Sequence, residues 1–359
     1  MSKFMRILQN GLFLNKNLQT TWVVHKCMTS TVPTSRMSLG WAIKDALYIA
    51  LTMNRKLVLF GEGITCSGCV ELLENKEEKD RKNLHMFAAP ETPVVINKQF
   101  SEHGIVNIGI GTDINGSTAI ADVQYSDRQG CIFQPLNESL RCLPENILKL
   151  KNLTMIAPIE PVRRGAMNHT DRNKPLYKMD GIKVVMPRRP EDAKGLLLSC
   201  IKHDTPCVFI EPNDDLNKSV HEMVRLCHYT TPLGKAEIIL EVKDEHDEGN
   251  IEGKRTCVTL IGYGPHVNVL KDEVAKDAKK FGILCEVIDL RTLLPWDQKT
   301  VKESVKKTGR CIISEEVQII KGLTNEIEYT LQNENKNTPI QKVCGFTTDR
   351  LVDLVRKIV

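Results

Sequence analysis

A carboxylate, Glu102, and an imidazole, His103, stand side by side in FSEHGIVNIGIG (residues 100–111), at the mouth of an apolar, glycine-spaced run. Burying a carboxylate without a partner costs several kcal/mol. The pair therefore either caps a helix at the surface or meets a ligand that compensates the charge, and in the second case it could do proton-transfer work. Other chemically suggestive spacings carry less. CSGC (66–69) is a Cys-x-x-Cys, but no second such pair and no His pair follows at zinc-ligand spacing, so it reads as ordinary thiols. GYGPH (262–266) lacks the third glycine of a dinucleotide fingerprint, and no acidic residue closes the next strand in register. The sequence contains no P-loop and no Gly-x-Ser-x-Gly elbow. Its NES, NHT and NKS triplets would matter only in a secreted chain.

Positioning Glu102 requires strands and helices on both sides of it. LGWAIKDALYIALTMN (39–54) has helical spacing, and KLVLFGEG (56–63) reads as a buried strand ending in a glycine turn. The charged stretch ELLENKEEKDRKN (71–83) reads as a solvated face or loop. GIVNIGIG opens a helix, while TAIADVQYS (118–126) and NLTMIAPIE (152–160) are strands. IKVVMP (182–187), EDAKGLLLSCIKH (191–203) and PCVFIEP (206–212) then give strand, helix, strand, an order that predicts parallel α/β organisation. After a polar linker (213–233), a second α/β block opens with a helix before residue 241. A charged loop of disordered composition follows, EVKDEHDEGNIEGKR (241–255). CVTLIGYG (257–264), HVNVLKDEVAKDAKKFG (266–282) and CEVIDLRTLLPWD (285–297) predict strand, helix and strand, continued by TVKESVKKTG (300–309) and CIISEE (311–316). No internal repeat is evident.

The 359 residues exceed what one hydrophobic core usually organises, which favours two domains. Lys and Arg number 49 against 45 Asp and Glu, a net charge of only +4, and no basic stripe interleaved with aromatics is present. Nucleic acid is thus not an expected partner. No apolar run reaches the ~18 residues of a membrane span, so a soluble protein without membrane contact is expected. Twelve cysteines lie scattered in apolar runs, as reduced intracellular thiols would, and no disulfide framework is expected. The first 44 residues contain no Asp or Glu but carry Lys3, Arg6, Lys16, Lys26 and Arg36 among apolar residues. That pattern is a mitochondrial presequence signature, with the mature chain starting between Cys27 and Arg36 and the mitochondrial matrix as destination.

Taken together, SEHGIVNIGIG, TAIADVQYSD, GIKVVMPRRPEDAKGLLLSCI, PCVFIEP, CEVIDLRTLLPWD and VCGF resemble the beta subunits of branched-chain 2-oxo acid dehydrogenases, with pyruvate dehydrogenase beta subunits next to them. The likeness covers most of residues 37–346. It implies an α/β chain with mainly parallel sheets. A presequence (1–35) would precede a transketolase-like pyrimidine-binding domain (36–212), a linker (213–233) and a transketolase C-terminal domain (234–359). It also implies an α2β2 heterotetramer with an alpha subunit, thiamine diphosphate and magnesium held between subunits, a branched 2-oxo acid as substrate, and acyl transfer to a lipoyl-bearing acyltransferase core. In that family the acid of the Ser/Cys-Glu-x-Gly motif, here Glu102, hydrogen-bonds a ring nitrogen of the cofactor's aminopyrimidine. The resemblance places His169, in AMNHT (166–170), at the family's active-site histidine, where a neutral imidazole could hand on a proton after carbon dioxide departs.

The chain departs from the pattern in several places. Arg128 or Cys131 stands where an aromatic residue would stack on the pyrimidine. In the loop for a monovalent cation, Leu153, Thr154 and Cys200 match, but His203 and Thr205 replace the expected Asp and Asn. Backbone carbonyls there could still hold potassium. CSGCV replaces a glycine-rich FGGVF-type segment, EPNDDLNK replaces an EPK-x-LYR continuation, and the Pro- and aromatic-rich segment after VCGF is missing. Two readings follow: an active beta subunit, or a diverged paralogue that keeps the fold and partner surface in a structural or regulatory role.

Overall fold

The structure, a computed structural model, describes residues 32–61, 93–98, 100–123, 136, 150–159, 181–212, 221–242, 256–316, 318–345 and 347–359. CSGC, the charged segment 71–83, Arg128, Cys131, His169 and nearly all of the presequence lie outside these residues, as does most of the charged loop after residue 241.

In chain order the first block comprises β1 (Thr34–Met37), α1 (Leu39–Met53), β2 (Leu57–Gly61), β3 (Val94–Asn97), α2 (Glu102–Ile114), β4 (Thr118–Asp122), β5 (Leu153–Ile159), β6 (Lys183–Val185), α3 (Pro190–Lys202), β7 (Cys207–Pro212) and β8 (Glu222–Arg225). The second comprises β9 (Glu237–Leu240), β10 (Thr256–Gly262), a helix running through α4 (His266–Val269), a π-helical turn (Leu270–Val274) and α5 (Ala275–Lys280), then β11 (Ile283–Asp289), β12 (Thr292–Leu294), α6 (Gln298–Thr308), β13 (Cys311–Glu315), α7 (Leu323–Glu334), β14 (Ile340–Cys344) and α8 (Thr348–Ile358). A seven-stranded sheet runs β12-β6-β7-β5-β4-β2-β3 and a five-stranded sheet β14-β13-β10-β11-β9; β1 and β8 form a separate antiparallel pair. All neighbours in the two large sheets are parallel except at one edge of each, where β12 and β9 run antiparallel.

Strands buried on both faces read as continuous apolar runs, and β2 follows that rule. Leu57 and Leu59 face a layer formed by α1 and α3, where Ile43, Leu47, Leu196, Leu197 and Phe209 pack. Val58 and Phe60 face the opposite layer, with Ile105, Val106 and Ile110 of α2. The same core continues into the second block through Ile261, Ile288, Leu290, Leu293 and Trp296, so the two sheets share one apolar interior. The outer face of the second sheet is covered by Val267, Leu270 and Val274 and by Leu351 and Val355 of α8.

Three sequence expectations change. CEVIDLRTLLPWD is two strands in different sheets: β11 ends at Asp289, and β12 crosses to pair with β6. The break is at Arg291, whose φ of 54° lies in the left-handed region and cannot continue a strand. The element expected as a helix before residue 241 is strand β9, which extends the sheet beside β11. Within the stretch read as a linker, Glu222–Arg225 is a strand that holds β1. Among the described residues no helix is long and apolar enough to cross a membrane, and seven described cysteines are free thiols.

Candidate active site

Helix α2 begins where its sequence provides a cap. Ser101 is the N-cap residue, and its Oγ accepts a hydrogen bond from the Gly104 N–H at 3.1 Å. Serine is among the best residues for this task, so the N-cap is Ser101, and Glu102 is the first helical residue. Farther along, Ile105, Val106 and Ile110 bury one face of α2 while Gly109 brings it close to the sheet. A Cβ at Gly109 would sit 2.8 Å from Leu153 Cδ1 and 3.4 Å from Phe60 Cζ. Phe100 packs edge-on against Phe60, with ring centroids 6.5 Å apart, which fixes the approach of the chain to the cap. At the far end the buried Asp113 accepts the Lys151 and Asn152 N–H groups at 2.8 and 2.9 Å, tying α2 to the start of β5.

Because α2 follows β3 and returns to the start of the parallel strand β4, its N-terminus lies at the carboxyl edge of the sheet. This edge is where open parallel α/β sheets bind ligands. Gly61, at the end of β2, is required there, since a Cβ would lie 2.0 Å from the Asp122 carbonyl oxygen. Strands β4 and β7 bring Asp122 and Glu211 to the same edge, and Asp122 is buried. The sequence thus places an acidic residue at the first position of this helix, and acidic residues at two strand ends, on the edge of the sheet where a ligand would bind. His169, Arg128 and Cys131 lie outside the described residues, and of Glu102 the structure describes the backbone position alone, as the first residue of α2.

Leu153, Thr154 and Cys200 come together at the other end of the sheet, at the amino ends of β5 and β7 and near the C-terminus of α3. All three are buried, and the Thr154 hydroxyl has no hydrogen-bond partner. The Cys200 carbonyl accepts the His203 N–H at 3.1 Å, and a His203 ring nitrogen lies 2.9 Å from Thr205 Oγ1. One oxygen is ready for a cation, but an imidazole holds the place of the expected carboxylate. This donor set does not fit a potassium ion, which needs several oxygens and favours negative charge.

Sequence reasoning missed a charged knot between the blocks. Arg188, buried in MPRRPED, donates from Nε to Asp289 Oδ2 at 3.3 Å and from Nη1 to Asn268 Oδ1 at 3.1 Å. Glu237 lies 3.6 Å from Arg188 Nη2 and 3.7 Å from Arg291 Nη1, and Asp192 pairs with Arg189 at 2.9 Å. Burial pushes the Asp289 carboxyl up to about 7, against the pull of Arg188. The carboxylates of Asp192, Glu237 and Asp289 lie within 4.8 Å of one another, but three guanidinium groups already neutralise them. The cluster therefore reads as a clamp between domains. Its signal in the sequence was the doubled arginine before PED and the arginine inside DLRT.

Against this geometry the comparisons are specific. The transketolase pyrimidine-binding domain family matches residues 35–218, and the transketolase C-terminal domain family matches residues 247–352. The chain is 36% identical over 323 residues to the mitochondrial 2-oxoisovalerate dehydrogenase subunit beta of Dictyostelium discoideum, a match covering 87% of this chain and 80% of that one. It is 34% identical over 319 residues to the mitochondrial 2-oxoisovalerate dehydrogenase subunit beta 2 of Arabidopsis thaliana, covering 87% and 82%. Among solved structures it is similar to a split gene transketolase described as an inactive beta4 tetramer, with a TM-score of 0.61 at 17% identity, covering 90% of this chain and 98% of that one. That last likeness speaks to the fold alone, and it is the fold expected from the sequence: two transketolase-type domains with mainly parallel sheets.

Proposed function

Because the chain belongs to the family of 2-oxoisovalerate dehydrogenase beta subunits, we propose that it forms, with an alpha subunit, the decarboxylating component of a branched-chain 2-oxo acid dehydrogenase. The assembly would be an α2β2 heterotetramer that oxidatively decarboxylates branched 2-oxo acids and passes the acyl group to the lipoyl groups of an acyltransferase core. The observation behind this reading is that Glu102 is the first residue of α2, at the carboxyl edge of a parallel sheet, with Ser101 as the N-cap.

Thiamine diphosphate, when bound, supplies the carbon nucleophile and the electron sink for loss of carbon dioxide. Glu102 would hold the proton on the aminopyrimidine nitrogen, from its backbone position as the first residue of α2. His169 would serve as the proton-transfer group at the substrate side, with Arg128 lining the ring. The diphosphate and magnesium need anion-cradling amides and oxygen ligands. The family's GDG-to-NN motif for them is absent from this sequence, so the alpha subunit would provide them.

We place the chain in the mitochondrial matrix, with its presequence removed before Pro33. The Leu226 N–H donates to the Pro33 carbonyl, and Thr34–Met37 pairs along its whole length with Glu222–Arg225, so later cleavage would cut into β1. This narrows the expected start to between Cys27 and Pro33: mass spectrometry of the mature protein should find its first residue there, and a start within or beyond Thr34–Met37 contradicts this. The activity is tested by co-expressing the chain with an alpha subunit and measuring carbon dioxide release from 3-methyl-2-oxobutanoate and from pyruvate. Release from the branched acid in preference to pyruvate is expected. A complex that assembles and releases carbon dioxide from neither would refute the catalytic reading.

A further inference from the structure

The cation loop of the family maps onto a corner of this chain where a positive charge, Lys183, stands near an imidazole, His203, in place of an acid. Thr154 on β5, Cys207 on β7 and Lys183 on β6 are register partners across three adjacent parallel strands. Residues in register leave a sheet on the same face, and here that face is the one on which Cys200 of α3 packs with Cys207. Lys183 is half-buried at this end of the sheet; burial first, and its positive charge after that, disfavour a proton on the His203 ring. The following residues add no compensating anion in the interior: Lys202 and Asp204 are both exposed, His203 binds Thr205, and the Cys200 carbonyl is occupied by the His203 N–H.

A buried monovalent cation must be repaid for its lost hydration by oxygen ligands and by negative charge. With aspartate at position 203, an ammonium at 183 and a metal cation could share one carboxylate. With histidine there, the metal would meet the ammonium without an intervening anion, and the two like charges would repel. We propose that this chain binds no monovalent cation at the β5–β7–α3 corner, and that Lys183 supplies the positive charge there in place of a metal ion. The orphaned hydroxyl of Thr154 is then what remains of the donor set, next to a site that the His203 substitution has closed.

The test reads thermal stability, so it does not depend on turnover. The chain assembled with its alpha subunit is melted in potassium chloride and in choline chloride at equal ionic strength. The wild type should show the same Tm in both. His203→Asp, which restores the acid, should acquire a saturable, potassium-specific rise of several degrees. Lys183→Gln, which removes the resident charge without altering the loop, should move in the same direction and serves if His203→Asp does not assemble. A saturable potassium-specific rise in the wild type, abolished by Thr154→Val, would overturn the proposal. Failure of both assembled variants to gain any potassium response would overturn the role given to Lys183 and His203.

Discussion

Lys194 sits with none of its surface exposed, on the inner side of α3. Its ammonium pairs with Asp45 at 2.6 Å, donates to the Arg225 carbonyl and lies 5.3 Å from the centre of the Tyr229 ring. One side chain thus joins α1, α3 and β8. Removing one member of a buried pair strands the other, so Lys194→Met should destabilise the protein by on the order of 3 kcal/mol. Lys194→Met combined with Asp45→Leu should recover most of that, because both charges are then gone. Urea midpoints of the three proteins would show this, and a double variant no better than the single would disprove the pairing. At this scale the sequence was readable where residue type decides. Glu102 stood out because its motif is short and local. Lys194 did not, because an amphipathic pattern assigns a lysine to the solvent face and carries no sign that Asp45 waits inside. The same limit hid Arg188, whose partners Asp289 and Asn268 are 101 and 80 residues away in the chain.

The strands and helices were legible wherever their period was sustained. The helix over 39–54, the strands over 56–63 and 152–160 and the helix over 191–203 stand within a residue or two of the elements seen. The failures share a cause. A short apolar run is compatible with helix or strand, so KAEIIL gives no hint that β11 will offer it an edge, and the continuous pattern of DLRTLLPW does not reveal that its two halves serve different sheets. The junction of β10 with α4 offers a test. His266 is buried beneath the helix with a ring nitrogen 2.8 Å from Ser314 Oγ, and desolvation lowers its pKa to about 4. The unfolded chain takes up that proton near pH 6.5. The associated stability is therefore complete above pH 6.5 and lost as the pH falls toward 4, by roughly 3 kcal/mol across the window. Asp289 acts with the opposite sign, because its raised pKa gives stability that is present below about pH 4 and lost as the pH rises through about 7. A comparison with His266→Asn isolates the histidine: the variant should lose less stability than wild type between pH 7 and pH 4.5. Parallel pH profiles would contradict the assignment.

The described residues form two large sheets that share an interior, with β12 lent by the second block to the first and the Arg188 clamp closing the seam. Two blocks joined this way should unfold together. Hydrogen exchange followed through a urea titration should give one midpoint for segments 57–61 and 118–122 and for segments 256–262 and 311–315, whereas two separated midpoints would show that the seam is weak. The sequence predicted the two blocks and their order but not the shared strand, since pairing partners are chosen by geometry that emerges only on folding. The proposed activity is tested at Glu102. In the reconstituted heterotetramer, Glu102→Gln keeps a hydrogen-bonding end but loses the charge that holds the pyrimidine proton, and proton-transfer contributions of this kind are ~10²- to 10⁴-fold in rate. The deciding measurement is carbon dioxide release from a branched 2-oxo acid by wild-type and Glu102→Gln complexes of equal assembly. The account predicts a fall within that range; a variant within a few-fold of wild type would contradict it.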